Sequence, residues 1–116
     1  MSTIKVDAVE PRTTSSTITI GAAASNITAL TSAATITIDF NDNNNFSVTL
    51  GHNATFANPS NPTAGQTGSI FITQDGTGSR TASWGTNWDF IGGSAPTLTT
   101  TAAAIDRIDY VIVDST

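Results

Sequence analysis

The chain has 116 residues and a net charge of −5, and small uncharged polar side chains dominate its composition. Threonine supplies 22 residues, serine 12 and asparagine 9, whereas charged residues make up only 11% of the chain. With no cysteine and one histidine, a disulfide framework and a cysteine–histidine metal centre are excluded. The 4 basic residues argue against nucleic acid or a membrane surface as a partner, because phosphate groups bind basic faces.

The supply of large apolar side chains is thin for a chain of this length. Leucine, isoleucine, valine and phenylalanine together number 25 of the 116 residues, close to the level below which chains stay disordered. A lone copy is therefore expected to be marginally stable, and association with further copies is the simplest added source of burial. Residues 1–7 lack the apolar stretch of a secretory signal, so none is expected.

Taken in chain order, residues 1–20 are predicted to form an extended N-terminal arm and residues 21–116 a single β-rich domain. Apolar and polar residues alternate over residues 17–20, 35–40 and 46–50, which is the period of a strand with one buried face. Residues 16–20 and 34–38 have similar sequences eighteen positions apart. We interpret them as two similar strands, since two copies are too few to define a solenoid.

Two loops are predicted to close hairpins. Residues 41–45 are four asparagines and an aspartate, which tolerate left-handed backbone, and residues 75–78 contain two glycines between strands at 69–74 and 79–84. A helical turn capped by Thr101 is possible over residues 101–104. The last strand, residues 105–113, is apolar on both faces at its end, so we expect it at the centre of a sheet or at a subunit contact. The expected fold is all-β: a small antiparallel β-sandwich or a barrel-like domain.

No catalytic residue, cofactor or metal ligand is expected. His52 lacks a sequence-adjacent nucleophile and acid, and is interpreted as a loop residue. The stretch that begins at Asp39 resembles the opening of a calcium loop, but Asn44 stands where that loop needs glycine and Leu50 where it needs glutamate. The loop at Asp75 is interpreted as a turn rather than an ion cradle.

Trp84 and Trp88 are four residues apart and share a face if one strand continues between them. Two interpretations remain open. They are either aromatic residues of the core or of a subunit interface, or, with Asn87 and Asp89, an exposed platform on which a sugar stacks.

Two parts of the chain resemble bacteriophage virion proteins. The opening is similar to the start of many tail-fibre proteins, through Ser2-Thr3-Ile4-Lys5-Val6-Asp7 and Thr17-Ile18-Thr19-Ile20-Gly21. The second half resembles a segment that recurs in virion proteins of marine-type phages, through Ala64-Gly65-Gln66-Thr67-Gly68, Ile70-Phe71-Ile72-Thr73-Gln74-Asp75-Gly76, Trp84-Gly85, Trp88, Gly92-Gly93, Ala95-Pro96-Thr97-Leu98 and the strand at 105–113.

The resemblance implies a structural protein on the surface of the virion, made in the host cytoplasm and often trimeric. The long shaft of a tail fibre is missing between the two similar parts, so a capsid-decorating (cement) protein fits better. A short tail-fibre or tail-adaptor protein that binds a receptor or glycan is the alternative. The expected partners are further copies, as a homotrimer, and the major capsid protein or other virion proteins. The residues expected at assembly interfaces are Ile4, Val6, Ile18, Ile20, Trp84, Trp88, Tyr110 and Ile112.

Overall fold

The computed structural model describes residues 24–116, and their regular structure is β-strand apart from one 3₁₀ turn at Ile91–Gly93. The strands are β1 (Ile27–Ala29), β2 (Thr35–Ile36), β3 (Asn45–Leu50), β4 (Ala54–Phe56), β5 (Thr67–Gln74), β6 (Ala82–Trp84) and β7 (Ile105–Val111). The all-β prediction is therefore confirmed. The predicted arm at residues 1–20 lies outside the described residues.

Successive strands alternate between two sheets. Sheet 1 has the order β1-β3-β5-β7 and sheet 2 the order β2-β4-β6. The neighbours pair in parallel except for β5 and β7, which are antiparallel. The predicted antiparallel arrangement is therefore wrong for every pair but the last. The chain thus winds as a parallel coil in which each turn adds a strand to each sheet, until β7 reverses the direction.

Both predicted hairpins are wrong. The asparagine-rich loop joins β2 to β3, and the loop at Asp75 joins β5 to β6, yet each pair of strands lies in two different sheets. Strand periodicity shows which side chains share a face, but it carries no information about the partner strand. These loops carry the chain from one sheet to the other instead of reversing it within one sheet.

In the first parallel pair, β1 and β3, each residue lies opposite the residue eighteen positions later in the chain. Ile27 lies opposite Asn45 and Ala29 opposite Ser47, which is the same offset that separates the two similar sequence stretches. The interpretation of those stretches as two similar strands did not include this winding. The earlier stretch, residues 16–20, lies outside the described residues.

Both sheets contribute to one core. In β3, Phe46, Val48 and Leu50 are buried, and the alternation predicted for this strand is confirmed. Phe46 lies opposite Ile70 of β5. The cluster is completed from both sheets and their loops by Ile36, Ile38, Phe40, Val48, Leu50, Ala54, Phe56, Ile72 and Leu98.

The final strand ends sheet 1, and no strand formed by residues 24–116 lies on its outer side. The prediction of a central position is wrong, because β5 separates β7 from the rest of the sheet. Ile105 is 65% exposed and Val111 62% exposed.

Just before β7, the Ala104 N–H donates to the Thr101 carbonyl at 3.0 Å, so a hydrogen-bonded turn stands where a helical turn was considered.

Candidate assembly site

Trp84 is partly buried and packs against the core. It ends β6 opposite Phe56, and the two rings stack with centroids 4.6 Å apart. Its indole also meets the edge of Trp88 at 5.1 Å and of Phe90 at 5.2 Å. The Trp84 Nε1 atom is buried and has no hydrogen-bond partner among the described residues. Trp84 is therefore a packing residue and does not belong to an exposed platform.

Trp88 packs beside Trp84 for a different reason from the one the sequence suggested. The strand does not continue between the two residues. Instead the Trp88 N–H donates to the Gly85 carbonyl at 3.2 Å and closes a turn. The Trp88 Nε1–H donates to the Ala57 carbonyl at 2.9 Å, which orients the indole with one part against the core and one part open to solvent.

Tyr110 connects β7 to the same aromatic cluster. Its ring lies 4.9 Å from that of Phe40, and its hydroxyl donates to the Asn44 carbonyl at 2.6 Å. Burial raises the pKa of Tyr110 to about 12, because the ionised phenolate would lose hydration. The hydroxyl passes over Gly68, where an added Cβ would lie 2.7 Å from the Tyr110 oxygen.

An open groove runs alongside the C-terminal end of β7, and we call it the Trp88 groove. Its volume is about 450 Å³. The apolar residues that line it include Trp88, Phe90, Ile91, Tyr110, Ile112 and Val113. Ile91 is fully exposed and Val113 is 84% exposed, an arrangement typical of a surface that a partner covers.

The polar residues of the Trp88 groove are mostly acidic. Asp89, Asp109 and Asp114 line it together with Asn87. The Thr116 N–H and hydroxyl both donate to the Asp114 carboxylate and lower the pKa of that group. None of the described residues that line the groove is basic, so a partner with apolar and basic or hydrogen-bond donor groups would complement it.

The loop after β5 is a closed turn and not an ion cradle. The Asp75 carboxylate accepts hydrogen bonds from the Thr77 and Gly78 N–H groups and forms a 2.8 Å ion pair with Arg80. The Arg80 guanidinium, followed by the Gly78 N–H, lowers the pKa of Asp75 to about 2. Gln74, only 2% exposed, bonds both the N–H and the carbonyl of Arg80.

Neither Gln74 nor its contact with Arg80 was predicted from the sequence. A buried glutamine at the end of an alternating strand, six residues before its partner, has no sequence signature that distinguishes it from an exposed one. A second ion pair lies within β7, with 3.1 Å between the Arg107 guanidinium and the Asp109 carboxylate.

The remaining candidate residues show no catalytic or metal-binding arrangement. His52 Nδ1 lies 3.3 Å from the Ser32 hydroxyl, and no carboxylate hydrogen-bonds to this pair in the described part of the chain. Asp39 bonds Asn61 and the Asn41 N–H, which lower its pKa in that order. Across residues 24–116, no cluster of histidine and acidic residues could hold a metal ion.

Of the residues predicted for assembly, the structure brings four together. Trp88, Tyr110 and Ile112 line the Trp88 groove, and Trp84 packs behind it against Trp88. Ile4, Val6, Ile18 and Ile20 lie outside the described residues. The positions of Ile91 and Val113 were not predicted, although two apolar residues in polar, glycine-containing or terminal surroundings are a usable signal of exposure.

Comparisons of the chain with family models, with curated proteins and with solved structures found no match in any of the three. No helix within residues 24–116 is long and apolar enough to cross a membrane.

Proposed function

We propose that this chain is a non-enzymatic structural subunit of a bacteriophage virion, a capsid-decorating (cement) protein on the particle surface. The phage assignment rests on the sequence resemblance. In this proposal the two sheets, which both contribute to one core, act as a small sandwich-like unit. Three such units form a homotrimer, residues 1–20 reach a neighbouring subunit as an extended arm, and the shell is built of the major capsid protein.

The observation that carries the assembly role is the Trp88 groove. Ile91 and Val113 expose nearly all of their side chains there, although the chain is short of apolar residues. Each apolar side chain that a partner covers contributes roughly 25 cal/mol per Å² of buried surface. A solitary subunit leaves these side chains in water and gains no stability from them. A subunit that packs on a shell or on its sister copies buries them and is stabilised.

Electron microscopy of intact particles tests this role. Antibodies raised against the purified chain, followed by reconstruction of labelled particles, should place it at repeated positions on the capsid shell. Absence from particles, or density confined to the tail, would overturn the capsid assignment.

A pair of matched variants tests the surface itself. The double change Ile91→Ser with Val113→Ser should reduce the amount of chain that binds stripped particles. The control is Ile27→Ser, which removes another exposed isoleucine (55% exposed) from β1 at the opposite edge of sheet 1. Equal binding by the two proteins would contradict the assignment of the Trp88 groove as the contact.

A short tail-fibre or tail-adaptor protein that binds a receptor glycan is the second candidate. One observation favours it: Asn87 and Asp89 flank Trp88 in a groove of about 450 Å³, a combination of an aromatic face and hydrogen-bonding groups that suits sugars. Trp84 is not part of this site. Binding on a glycan array that disappears with Trp88→Ala would support this candidate, and no binding by the unmodified chain would remove it.

A further inference from the structure

Within the described residues, 24–116, no strand pairs with the outer edge of β7. The two residues that flank β7, Ile112 and Ala104, form hydrogen bonds on the β5 side of the strand. The Ile112 N–H donates to the Gln66 carbonyl at 2.9 Å, and the Gln74 N–H donates to the Ala104 carbonyl at 2.8 Å. In an antiparallel pair the direction of these groups alternates along the strand. The N–H and C=O groups of the odd-numbered residues, Ile105, Arg107, Asp109 and Val111, therefore point away from the sheet.

The side chains of the same odd-numbered residues form one exposed face. All of them are exposed, whereas the even-numbered residues between them are half-buried, and Ile108 and Tyr110 among these pack against the core. The order along this face is isoleucine, arginine, aspartate, valine. If the same strand of a second copy runs in the opposite direction beside it, isoleucine lies opposite valine and arginine lies opposite aspartate.

We propose that a second copy of this chain adds its β7 antiparallel to this edge, about a two-fold axis at Ile108. Arg107 of each copy then faces Asp109 of the other, and Ile105 faces Val111. Each of these facing residues has its backbone groups pointed at the partner, so the pairs exchange hydrogen bonds as an antiparallel ladder requires. A two-fold contact of this kind uses the same patch on both copies.

Charge selects this register over its neighbours. A shift of two residues in one direction places Arg107 opposite Arg107, and the same shift in the other direction places Asp109 opposite Asp109. Like charges directly opposite each other destabilise a strand pair, whereas opposite charges stabilise it. Of these three registers, only the one centred on Ile108 pairs both charges favourably and both apolar residues with each other.

An open strand edge is normally protected by charge, by proline or by a covering segment. On β7 the two charges are of opposite sign, so they favour pairing with a copy instead of preventing it. The inference rests on the self-assembly in the proposed function and names one of its contacts. On a particle, this two-fold contact would join neighbouring trimers, but it requires no particle in order to form.

A cysteine at the axis provides the first test. In the centred register, Ile108 faces Ile108 of the partner in a non-hydrogen-bonded pair, with Cα atoms about 4.5 Å apart, within reach of a disulfide. The chain has no cysteine of its own, so Ile108→Cys should give a covalent dimer under mild oxidation. The control, Thr49→Cys, places a thiol at an exposed position of β3 and should stay monomeric on a denaturing gel. A folded Ile108→Cys protein that forms no more dimer than the control would overturn the proposal.

A charge exchange provides the second test and does not depend on the cysteine variant folding. Arg107→Asp places two aspartates opposite each other, and Asp109→Arg places two arginines opposite each other. Each variant alone should weaken self-association by about tenfold or more in sedimentation velocity. An equal mixture of the two should restore it, because the new aspartate of one variant then faces the new arginine of the other. The control Asp42→Arg changes charge at an exposed loop and should leave association unchanged.

The outcomes separate this inference from the proposed function. Unchanged association by both single variants, or a mixture no tighter than either, would overturn β7 pairing even if microscopy places the chain on capsids. Restored pairing in the mixture would support it even if the chain is absent from particles, in which case the proposed function fails by itself.

Discussion

The ladder between β3 and β5 and the surface beside β7 use similar residues but differ in how completely they are packed. Phe46 and Ile70 face each other in the ladder and expose none of their surface. Around β7, Val111 and Val113 expose more than half of theirs. Within residues 24–116 the coil therefore buries its own core, whereas the last strand and the Trp88 groove expose apolar side chains.

Tyr110 connects these two regions. Its ring packs on Phe40, which is 5% exposed and belongs to the core, while its strand forms the open edge.

The largest effect is expected in the ladder. Phe46→Ala should lower the free energy of unfolding by about 3–5 kcal/mol, because it leaves a cavity between the two sheets. The matched change Val113→Ala beside the groove should alter the free energy of unfolding by no more than about 0.5 kcal/mol. Urea denaturation measures both, and equal effects would contradict the division into a packed and an open region.

A substitution at Gly68 tests how closely Tyr110 and Asn44 approach β5. In Gly68→Ala the new methyl group would lie 2.7 Å from the Tyr110 hydroxyl and closer still to the Asn44 carbonyl. The expected loss is about 1–3 kcal/mol of stability. The control is Gly76→Ala, where nothing lies within 4 Å of the added carbon. Thermal unfolding of the two variants should separate clearly, and a neutral Gly68→Ala would refute the close approach of Tyr110.

Tyr110 can be followed directly because it is the only tyrosine of the chain. Absorbance at alkaline pH should give a pKa of about 12, against about 10 for a free tyrosine. Since the folded pKa is raised, stability should be full below pH 10 and fall as the pH rises towards 12.

The matched variant Tyr110→Phe removes the hydrogen bond to Asn44. It should cost about 0.5–1.5 kcal/mol near neutral pH and should abolish the tyrosine contribution to the alkaline loss of stability. A titration midpoint near 10 in the folded protein would show that the Tyr110 ring is exposed.

The smallest effect is expected at the loop after β5, where Asp75 and Arg80 form a partly exposed ion pair. The pKa of Asp75 is lowered to about 2, so its contribution to stability should be full above pH 4 and lost as the pH falls towards 2. Thermal unfolding across this range should show a shallower acid loss in Asp75→Asn. Arg80→Gln should flatten it similarly, and additive effects of the two changes would contradict a direct pair.

Much of the local structure could be predicted from residue patterns. Alternation identified β3 and its buried side chains. For Trp84 and Trp88 the sequence left a core or interface position and an exposed platform open, and the structure packs the two rings against each other. The partners of the strands could not be predicted. The short strands β1 and β4, of three residues each, have too few positions to show a period.

The sequence by itself determined that this protein is all-β and that its uncharged threonine-rich strands have one apolar face, because those properties depend on side-chain type and on a period of two. Only the tertiary structure decided that the strands wind in parallel between two sheets and that β7 is left at an edge. It also decided that Trp88, Tyr110 and Ile112 share one groove with Ile91 and Val113. These features depend on contacts between residues far apart in the chain, where many pairings bury comparable apolar surface and only packing of the whole core selects among them.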